Sequence, residues 1–208
     1  MKRCVIFGSV DIDFPVEKMI RDGDVIFCAD RGWKNAVKHG IKPDFIVGDF
    51  DSSEKPDGTD ADITVLPTEK DDTDTYHIAK TVVENGFTDV LMVGLLGGKR
   101  MEHTFANIQT MLYFAKNRVN VTAADKYCNM TVIQNGRINL PPMENKFFSV
   151  FSLGEKAKGV SIKGAKYTVE DADISNDYPI GVSNEFCGCP VEISVKDGSL
   201  LIVITEKD

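Results

Sequence analysis

The feature that most restricts the fold of this chain is a change of periodicity near residue 125. Before it, short apolar runs alternate with segments of helical period. The apolar runs predict strands at residues 4–7, 25–29, 45–47, 63–66, 90–93 and 119–122. The segments between them predict helices at residues 33–39, 73–85 and 102–117. Strands so continuous in apolar residues, separated by helices, indicate a mainly parallel sheet that is covered on both faces.

After residue 129 the helical period is absent, and dipeptides typical of tight turns separate apolar runs. Asn135-Gly136 lies between the runs 131–133 and 138–140, and Asp197-Gly198 lies between 191–195 and 200–204. Both patterns predict β-hairpins. The expected fold class is therefore α/β. A mainly parallel, doubly wound (Rossmann-like) N-terminal domain at 1–125 precedes a small antiparallel all-β sandwich or barrel at 129–208.

The helix predicted at residues 102–117 has a clear apolar pattern. Phe105, Ile108, Leu112 and Ala115 recur at steps of three and four residues, which predicts that this stripe is buried. His103 and Asn107 share a different face of the helix, because they are four residues apart. The pattern therefore leaves these two polar residues available for binding.

The charge and the cysteines exclude several classes of protein. The formal net charge of −8 argues against binding nucleic acid or an anionic membrane. No apolar run approaches the roughly 20 residues that span a bilayer. The five cysteines are odd in number and sparse, which favours a reducing, cytoplasmic setting. Cys187-Gly188-Cys189 has no second Cys or His pair nearby that would complete a zinc site.

Two acidic segments each follow a predicted strand. Asp49 and Asp51 come directly after the strand at 45–47 and Gly48, and in an extended segment they point to the same side. Carboxylates about 4 Å apart repel by roughly 4 kcal/mol at an effective dielectric of about 20, so a cation would stabilise them. Hard oxygen ligands favour Mg²⁺, which also takes substrate phosphates as ligands. We therefore predict a metal or phosphate role, with a solvated turn as the alternative.

The second acidic segment opens the helix at 73–85. Asp71, Asp72 and Asp74 surround Thr73, and three acidic residues exceed what a helix cap needs. Neither segment is followed closely by a basic residue that would neutralise it. A shared cation accounts for the excess charge, and an exposed acidic turn is the alternative. Asp30, considered alone, is expected to cap the helix that starts near Trp33.

A basic, glycine-containing segment precedes the third helix. Gly97 and Gly98 let backbone amides approach a ligand, and the following helix start favours phosphate. Lys99 and Arg100 would supply charge-assisted hydrogen bonds. For His103 a structural role and a ligand role both remain open. Further along, the polar cluster at 181–186 is by itself typical of a loop.

Five motifs in this order resemble those of the thiamine pyrophosphokinases, and the resemblance covers nearly the whole chain. They are Ala29-Asp30-x-Gly32, Pro43-Asp44-x-Ile46-Val47-Gly48-Asp49-x-Asp51-Ser52, Asp71-x-Thr73-Asp74, Gly98-x-Arg100-x-x-His103-x-x-x-Asn107 and Ser183-Asn184-Glu185. Two positions differ from the family pattern: Arg31 stands where a second glycine is usual, and Glu102 where an aspartate is usual. Neither difference removes a predicted metal ligand.

The resemblance implies a homodimeric enzyme that transfers the pyrophosphoryl group of ATP to the hydroxyl of thiamine, giving thiamine diphosphate and AMP. It implies an active site between the α/β half of one subunit and the β half of the other. ATP and thiamine would be the small-molecule partners.

The site residues expected on this basis form three groups. Asp49, Asp51, Asp71 and Asp74 would hold Mg²⁺, and one of them could accept the proton of the thiamine hydroxyl. The residues on the nucleotide side, at the same edge of the sheet, would be Asp30, Gly98, Lys99, Arg100, His103 and Asn107. Ser183 and Asn184 would reach the thiamine ring from the partner subunit.

Two other functions remain open from the sequence. Asp49 and Asp51 could be the nucleophile pair of a haloacid-dehalogenase-like, Mg²⁺-dependent phosphatase. Such enzymes generally carry that pair after the first strand, whereas here it follows the third. Alternatively, the chain could bind nucleotide or thiamine without turnover, with Arg31 and Glu102 as the altered positions.

Overall fold

A computed structural model describes residues 2–50, 55–69 and 71–207. The chain forms two compact units, Met1–Lys126 and Tyr127–Asp208. The division falls where the periodicity of the sequence changes. No helix in the described part of the chain is both long and apolar enough to cross a membrane.

The first unit alternates strands with helices. Its strands are β1 (Arg3–Phe7), β2 (Val25–Ala29), β3 (Phe45–Gly48), β4 (Asp62–Val65), β5 (Asp89–Val93) and β6 (Asn120–Ala124). Its helices are α1 (Gly32–Lys38), α2 (Asp74–Glu84) and α3 (Met101–Lys116), and a 3₁₀ turn spans Val16–Met19. The predicted strands and helices are all present, with ends shifted by no more than two residues. The prediction of an α/β unit is confirmed.

The six strands of this unit lie in the order β6-β5-β1-β2-β3-β4, and each neighbouring pair is parallel. In β1, the four residues from Cys4 to Phe7 are all buried. Because successive strand residues face opposite sides, this pattern requires cover on both faces of the sheet. β4 is the outer strand and is mostly exposed. All of these strands have their carboxyl ends at one edge of the sheet.

The second unit contains only strands. They are β7 (Cys128–Gln134), β8 (Arg137–Leu140), β9 (Lys146–Ser152), β10 (Lys156–Lys163), β11 (Val169–Ser175), β12 (Asn184–Glu185), β13 (Val191–Ser194) and β14 (Ser199–Glu206). They form two antiparallel arrays, β12-β9-β14-β7 and β11-β10-β13-β8. One core, including Phe148, Ile193 and Ile202, draws side chains from both arrays. The prediction of a small antiparallel all-β unit is confirmed.

The two predicted hairpins are wrong, although both turns exist. β7 pairs with β14 and β8 pairs with β13, so Asn135-Gly136 joins strands of different arrays. Asp197-Gly198, between β13 and β14, does the same. The two turns bind each other: the Asn135 amide donates to the Gly198 carbonyl (3.0 Å), and the Gly198 amide donates to Asn135 Oδ1 (2.7 Å). These turns are therefore the corners at which the chain crosses between the arrays.

Candidate active site

Two aspartates lie together at the carboxyl edge of the parallel sheet. Asp30 follows β2 directly and Asp49 follows β3, and both are half-buried. The Asp30 amide donates to the Val47 carbonyl (2.8 Å), which ties the end of β2 to the end of β3. A Cβ at Gly48 would lie 3.0 Å from Asp30 Cα, so only glycine fits here without displacement. Asp30 and Asp49 therefore follow the ends of two neighbouring strands, at the same edge of the sheet.

Asp51, the second member of the predicted metal pair, lies outside the described residues together with the rest of 51–54. Among the residues that are described, no group of three or more His, Cys, Asp or Glu is arranged to hold a metal ion. The oxygen ligands that are described at this edge fit Mg²⁺ in chemical type. They do not form a complete site by themselves.

Asp30 does not cap α1, and that expectation is wrong. The helix starts at Gly32 with Arg31 as the N-cap residue, and no side chain makes a capping hydrogen bond. Asp30 has a φ of 45°, which non-glycine residues rarely adopt. At Gly32 a Cβ would lie 2.1 Å from the Phe7 carbonyl oxygen, so α1 starts in tight contact with the end of β1. This contact fixes the path of the chain after Asp30.

The residues of the acidic segment at 71–74 have different roles. Thr73 is the N-cap of α2, and its side chain accepts a hydrogen bond from the Tyr76 amide (3.2 Å). Asp72 accepts a hydrogen bond from Lys80 Nζ (2.6 Å), so the expectation that no basic residue neutralises this segment is wrong. Asp71 is exposed, and Asp74 is the first residue of α2.

The glycine segment before α3 is held in place by the buried side of that helix. Gly97 and Gly98 both have positive φ (72° and 79°). Thr104 Oγ1 accepts a hydrogen bond from the Gly97 amide (2.9 Å), and Asn107 Nδ2 donates to the Leu95 carbonyl (2.7 Å). Both side chains are buried. They fix the loop from which Lys99 and Arg100 extend into solvent.

Arg100 is paired in this structure. Its Nε donates to Glu102 Oε1 (2.8 Å), and both side chains are well exposed. The hydrogen bond from Arg100 holds the pKa of the Glu102 carboxyl below its usual range. An exposed pair of this kind contributes little to stability, because water screens both charges. Arg100 can therefore turn from Glu102 to a phosphate at little cost.

The prediction of the buried stripe of α3 is wrong. The stripe that the structure buries starts one residue earlier in the helix. Phe105 is 66% exposed, whereas the buried residues are Thr104, Asn107, Thr110, Met111 and Phe114. His103 is exposed and Asn107 is buried, so they do not form a common binding face. Thr104 was not singled out from the sequence. A polar residue three positions before Asn107, on the same side of the helix, was the available signal.

In the second unit, the two residues expected to contact thiamine differ in environment. Ser183 is exposed, has a φ of 57°, and donates its amide hydrogen to Ser149 Oγ (3.0 Å). Asn184 is buried in β12: its Oδ1 accepts from the Tyr167 amide (3.0 Å) and its Nδ2 donates to the Tyr167 carbonyl (2.7 Å). Ser183 is therefore open to a ligand, whereas the Asn184 side chain is occupied within its own unit.

Glu185 follows as the charged residue of this segment. It accepts hydrogen bonds from Lys166 and from Lys207 Nζ, the latter at 2.6 Å. The hydrogen bonds from the two lysines lower the pKa of the Glu185 carboxyl to about 2. This cluster, together with Asn184, holds β12 and the exposed Ser183 next to it in one geometry.

The fold and the site together define a class of protein. An all-parallel sheet with aspartates and a glycine loop at its carboxyl edge is typical of enzymes that bind phosphorylated ligands. A family model described as thiamin pyrophosphokinase, catalytic domain, matches residues 16–123, more than half of the chain. A second, described as thiamin pyrophosphokinase, vitamin B1 binding domain, matches residues 135–200. The chain belongs to the thiamin pyrophosphokinase family, whose substrates are ATP and thiamine.

Individual relatives agree with this assignment. Thiamine pyrophosphokinase of Bacillus subtilis (strain 168) is 24% identical over 180 residues, which is 84% of each chain. A crystal structure of thiamine pyrophosphokinase from Bacillus subtilis superimposes with a TM-score of 0.88 at 21% identity, covering 100% of both chains. The yeast thiamin pyrophosphokinase structure gives a TM-score of 0.81 at 17% identity, covering 99% of this chain and 86% of the other. At these sequence identities, the solved structures are evidence for the fold only.

Family membership favours one of the functions that the sequence left open. The chain is an enzyme of thiamine diphosphate synthesis, with a thiamine diphosphokinase catalytic domain. The phosphatase hypothesis and the hypothesis of binding without turnover are both less well supported, because the two matches cover the catalytic unit and the vitamin-binding unit in order.

Proposed function

We propose that this chain transfers the pyrophosphoryl group of ATP to the hydroxyl of thiamine at the carboxyl edge of its parallel sheet, releasing AMP. The observation that carries this proposal is the close backbone contact between the ends of β2 and β3, at Asp30, Val47 and Gly48, from which Asp49 follows directly. The fixed glycine loop after β5 opens at the same edge. Phosphoryl transfer requires mainly positioning and charge stabilisation, which such an edge can supply.

Asp49, Asp51, Asp71 and Asp74 are the proposed ligands of Mg²⁺, directly or through water. Mg²⁺, when bound, neutralises the charge of the phosphates during transfer. Because the described residues form no group of three, the proposed set depends on Asp51 and on phosphate oxygens of the substrate. One of these carboxylates would also accept the proton of the thiamine hydroxyl.

The loop before α3 and the start of that helix are the proposed phosphate-binding elements. Gly98 lets the nucleotide approach the backbone, and Lys99 and Arg100 are exposed beside it. Arg100 would exchange its exposed contact with Glu102 for the phosphates. His103, exposed in the first turn of α3, would contact the nucleotide. Asn107 would act by holding the loop through the Leu95 carbonyl rather than by contact.

Thiamine would be bound by the acidic edge of one subunit and by the β unit of another. Thiamine is cationic, so the aspartates Asp30 and Asp49 favour it electrostatically. Ser183, exposed beside β12, is the proposed contact with the ring, and Asn184 would position it through its bonds to Tyr167. This arrangement requires a homodimer in which Ser183 of the partner subunit reaches the site.

We propose the cytoplasm as the location of this enzyme. All five cysteines are described and none is in a disulfide. Burial raises the pKa of the Cys4 thiol to about 12, and burial also raises the pKa of Cys28. These two buried thiols are unreactive. A set of five cysteines that are all free suits a reducing compartment.

A product-resolved assay tests the proposed reaction. Purified protein with ATP, thiamine and Mg²⁺ should release AMP and thiamine diphosphate in equal amounts, as measured by ion-pair chromatography. Without thiamine, AMP should not accumulate, and chelation of Mg²⁺ should stop both products. Release of ADP with thiamine monophosphate, or AMP formation that ignores thiamine, would contradict the proposal.

A further inference from the structure

The strand order of the first unit has one point at which its direction reverses. From β1 the chain adds β2, β3 and β4 on one side, and β5 and β6 then lie on the other side of β1. The loops that follow β1 and β5 therefore leave from adjacent strands. In sheets of this kind the crevice at such a switch point is the usual ligand site. The sequence motifs assign the loop after β5 to phosphates and leave the loop after β1 without a role.

The two loops at this point, residues 8–10 and 94–98, are bonded to each other. The Gly8 amide donates to the Val93 carbonyl (2.8 Å), and the Val10 amide donates to the Gly94 carbonyl (2.9 Å). A Cβ at Gly94 would lie 2.8 Å from the carbonyl oxygens of both Gly8 and Val10. A Cβ at Gly98 would lie 3.2 Å from Val10 Cγ2. The loops thus share one contact surface, in which Gly94 has no room for a side chain.

Asn35, in helix α1, packs against both loops. Its side chain is buried, with the residue 7% exposed. Asn35 Nδ2 donates to the Gly8 carbonyl (2.7 Å) and to the Val10 carbonyl (2.7 Å), which uses both of its hydrogens. The same nitrogen would lie 3.2 Å from a Cβ at Gly94. One amide group therefore fixes the loop after β1 and contacts the loop after β5.

Ser9 is the residue that this arrangement presents to solvent. It lies between Gly8 and Val10, whose carbonyls are both bonded to Asn35, and it is exposed. Over the described stretches of the chain, neither its amide nor its hydroxyl makes an internal hydrogen bond. Two polar hydrogens held at a switch point, one residue before Val10, whose side chain lies close to Gly98, suit a phosphate oxygen.

We propose that residues 8–10 and 94–98 form one cradle for the phosphates of the nucleotide donor. In this cradle Ser9 is a binding residue and Asn35 is a positioning residue. The inference rests on the proposed function, because it assumes a nucleotide donor at this edge. It adds the loop after β1 to the site, and it gives a buried amide on α1 a role in nucleotide affinity.

Charge substitution at Ser9 tests the cradle without disturbing the core, because the residue is exposed. Ser9→Glu should raise KM for ATP about tenfold or more, since a carboxylate beside the phosphates repels them. Ser9→Lys should leave KM for ATP unchanged or lower it. KM for thiamine should change by less than about twofold in both variants. Equal effects of Glu and Lys on KM for ATP would overturn the proposal.

Asn35→Leu tests the positioning role, because it keeps the volume and removes both hydrogen bonds. Its matched control is Thr110→Val in α3, since Thr110 is 1% exposed and donates only to the Ala106 carbonyl of its own helix. Both variants should lower Tm. Only Asn35→Leu should raise KM for ATP, by about tenfold, with KM for thiamine within about twofold of the native value.

The outcomes separate this inference from the proposed function. If the native chain forms AMP and thiamine diphosphate but Asn35→Leu keeps its KM for ATP, the cradle is wrong and the function stands. If the native chain makes no AMP, the function fails first. Should Asn35→Leu not fold, titration of Ser9→Glu and Ser9→Lys with a non-hydrolysable ATP analogue by calorimetry decides the question. A Kd for the analogue that is equal in the two variants then contradicts the cradle.

Discussion

Position along a strand separates the aspartates of the candidate site from the other acidic residues of the same sheet. Asp49 is half-buried at the carboxyl end of β3, directly after Gly48, which is in close contact with Asp30 at the end of β2. Asp62 is exposed at the amino end of the neighbouring β4, opposite Phe45. Since ligands of parallel sheets bind at the carboxyl ends, the two aspartates should differ in their effect on activity although they differ little in chemistry.

Asp49→Asn should lower kcat by at least about a hundredfold, because it removes a charge from the proposed metal and phosphate edge while keeping the shape of the side chain. Asp62→Asn is the matched control and should leave kcat within about twofold of native, since it changes an exposed surface charge only. Steady-state assays at saturating ATP, thiamine and Mg²⁺ measure this, with Tm to confirm folding. Near-native turnover of Asp49→Asn would remove that residue from the site.

The lowered pKa of Glu185 predicts that the folded protein becomes less stable in acid. Its pKa is lowered to about 2 by hydrogen bonds from Lys166 and Lys207. A carboxyl whose pKa is depressed on folding stabilises the native state fully above its unfolded pKa of about 4.5. That stabilisation is lost as the pH falls from about 4.5 towards about 2.

Glu185→Gln should therefore lower the denaturation midpoint in urea at pH 7, and it should make the midpoint vary less between pH 5 and pH 3. Its control is Glu144→Gln: Glu144 is exposed before β9 and has no ion pair within the described residues. Urea titrations at pH 7, 5, 4 and 3 follow this. A steep acid limb that survives in Glu185→Gln would assign the effect to other carboxylates.

At the scale of the element, α3 shows why an apolar pattern can give the wrong face. Two stripes of the helix satisfy the helical period, one through Phe105 and one through Met111 and Phe114. The second is buried and begins with polar residues, because Thr104 and Asn107 bond the loop at 94–98. The need to satisfy buried backbone groups of that loop outweighs the greater apolarity of the first stripe.

The two phenylalanines of α3 give a direct test of this orientation. Phe114→Ala should lower the free energy of unfolding by about 3–5 kcal/mol, because Phe114 is fully buried. Phe105→Ala should change it by no more than about 0.5 kcal/mol, because that ring is 66% exposed. Chemical denaturation of the two variants, compared with the native chain, measures both values. A large loss of stability for Phe105→Ala would mean that another surface covers this face.

The turns of the second unit make a similar point about elements. Asn135-Gly136 supplies the positive φ that a tight turn requires, with Asn135 at 45°. The dipeptide defines the local bend, but it does not define which strands pair beyond it. Here the two turns bind each other, and β7 and β8 find partners elsewhere in the chain.

At the scale of the whole molecule, each of the two units contains its own hydrophobic core and carries one of the family matches. The proposed catalytic residues lie in the first unit, and the proposed thiamine contact lies in the second. If the site is shared between subunits, an intact site needs the first unit of one chain and the second unit of the other.

Complementation between inactive variants distinguishes a shared site from a site within one chain. Ser183→Arg should abolish thiamine binding, because it adds a cation beside a cationic substrate. A purified heterodimer of Asp49→Asn and Ser183→Arg chains should recover about half of native activity, since one of its two shared sites is intact. A native and Asp49→Asn heterodimer is the control and should show about half in either case. No recovery in the first heterodimer would place each site within one chain.

The sequence by itself determined the order of strands and helices in the first unit, the change from an α/β unit to an all-β unit, and membership of the family. Hydrophobic periodicity and turn-forming residues are local features, so they can be recognised from the sequence without a structure. Its motifs also pointed to Asp30 and Asp49, which follow the neighbouring strands β2 and β3.

Only the tertiary structure decided which polar groups are already occupied. It pairs Asp72 with Lys80, turns Asn107 and Asn184 inward, and makes Asn35 the support of two loops. Each of these results depends on a partner distant along the chain or on the rotation of a helix. Such partners are selected by packing and by the requirement that buried backbone groups form hydrogen bonds, and neither is encoded in a local pattern.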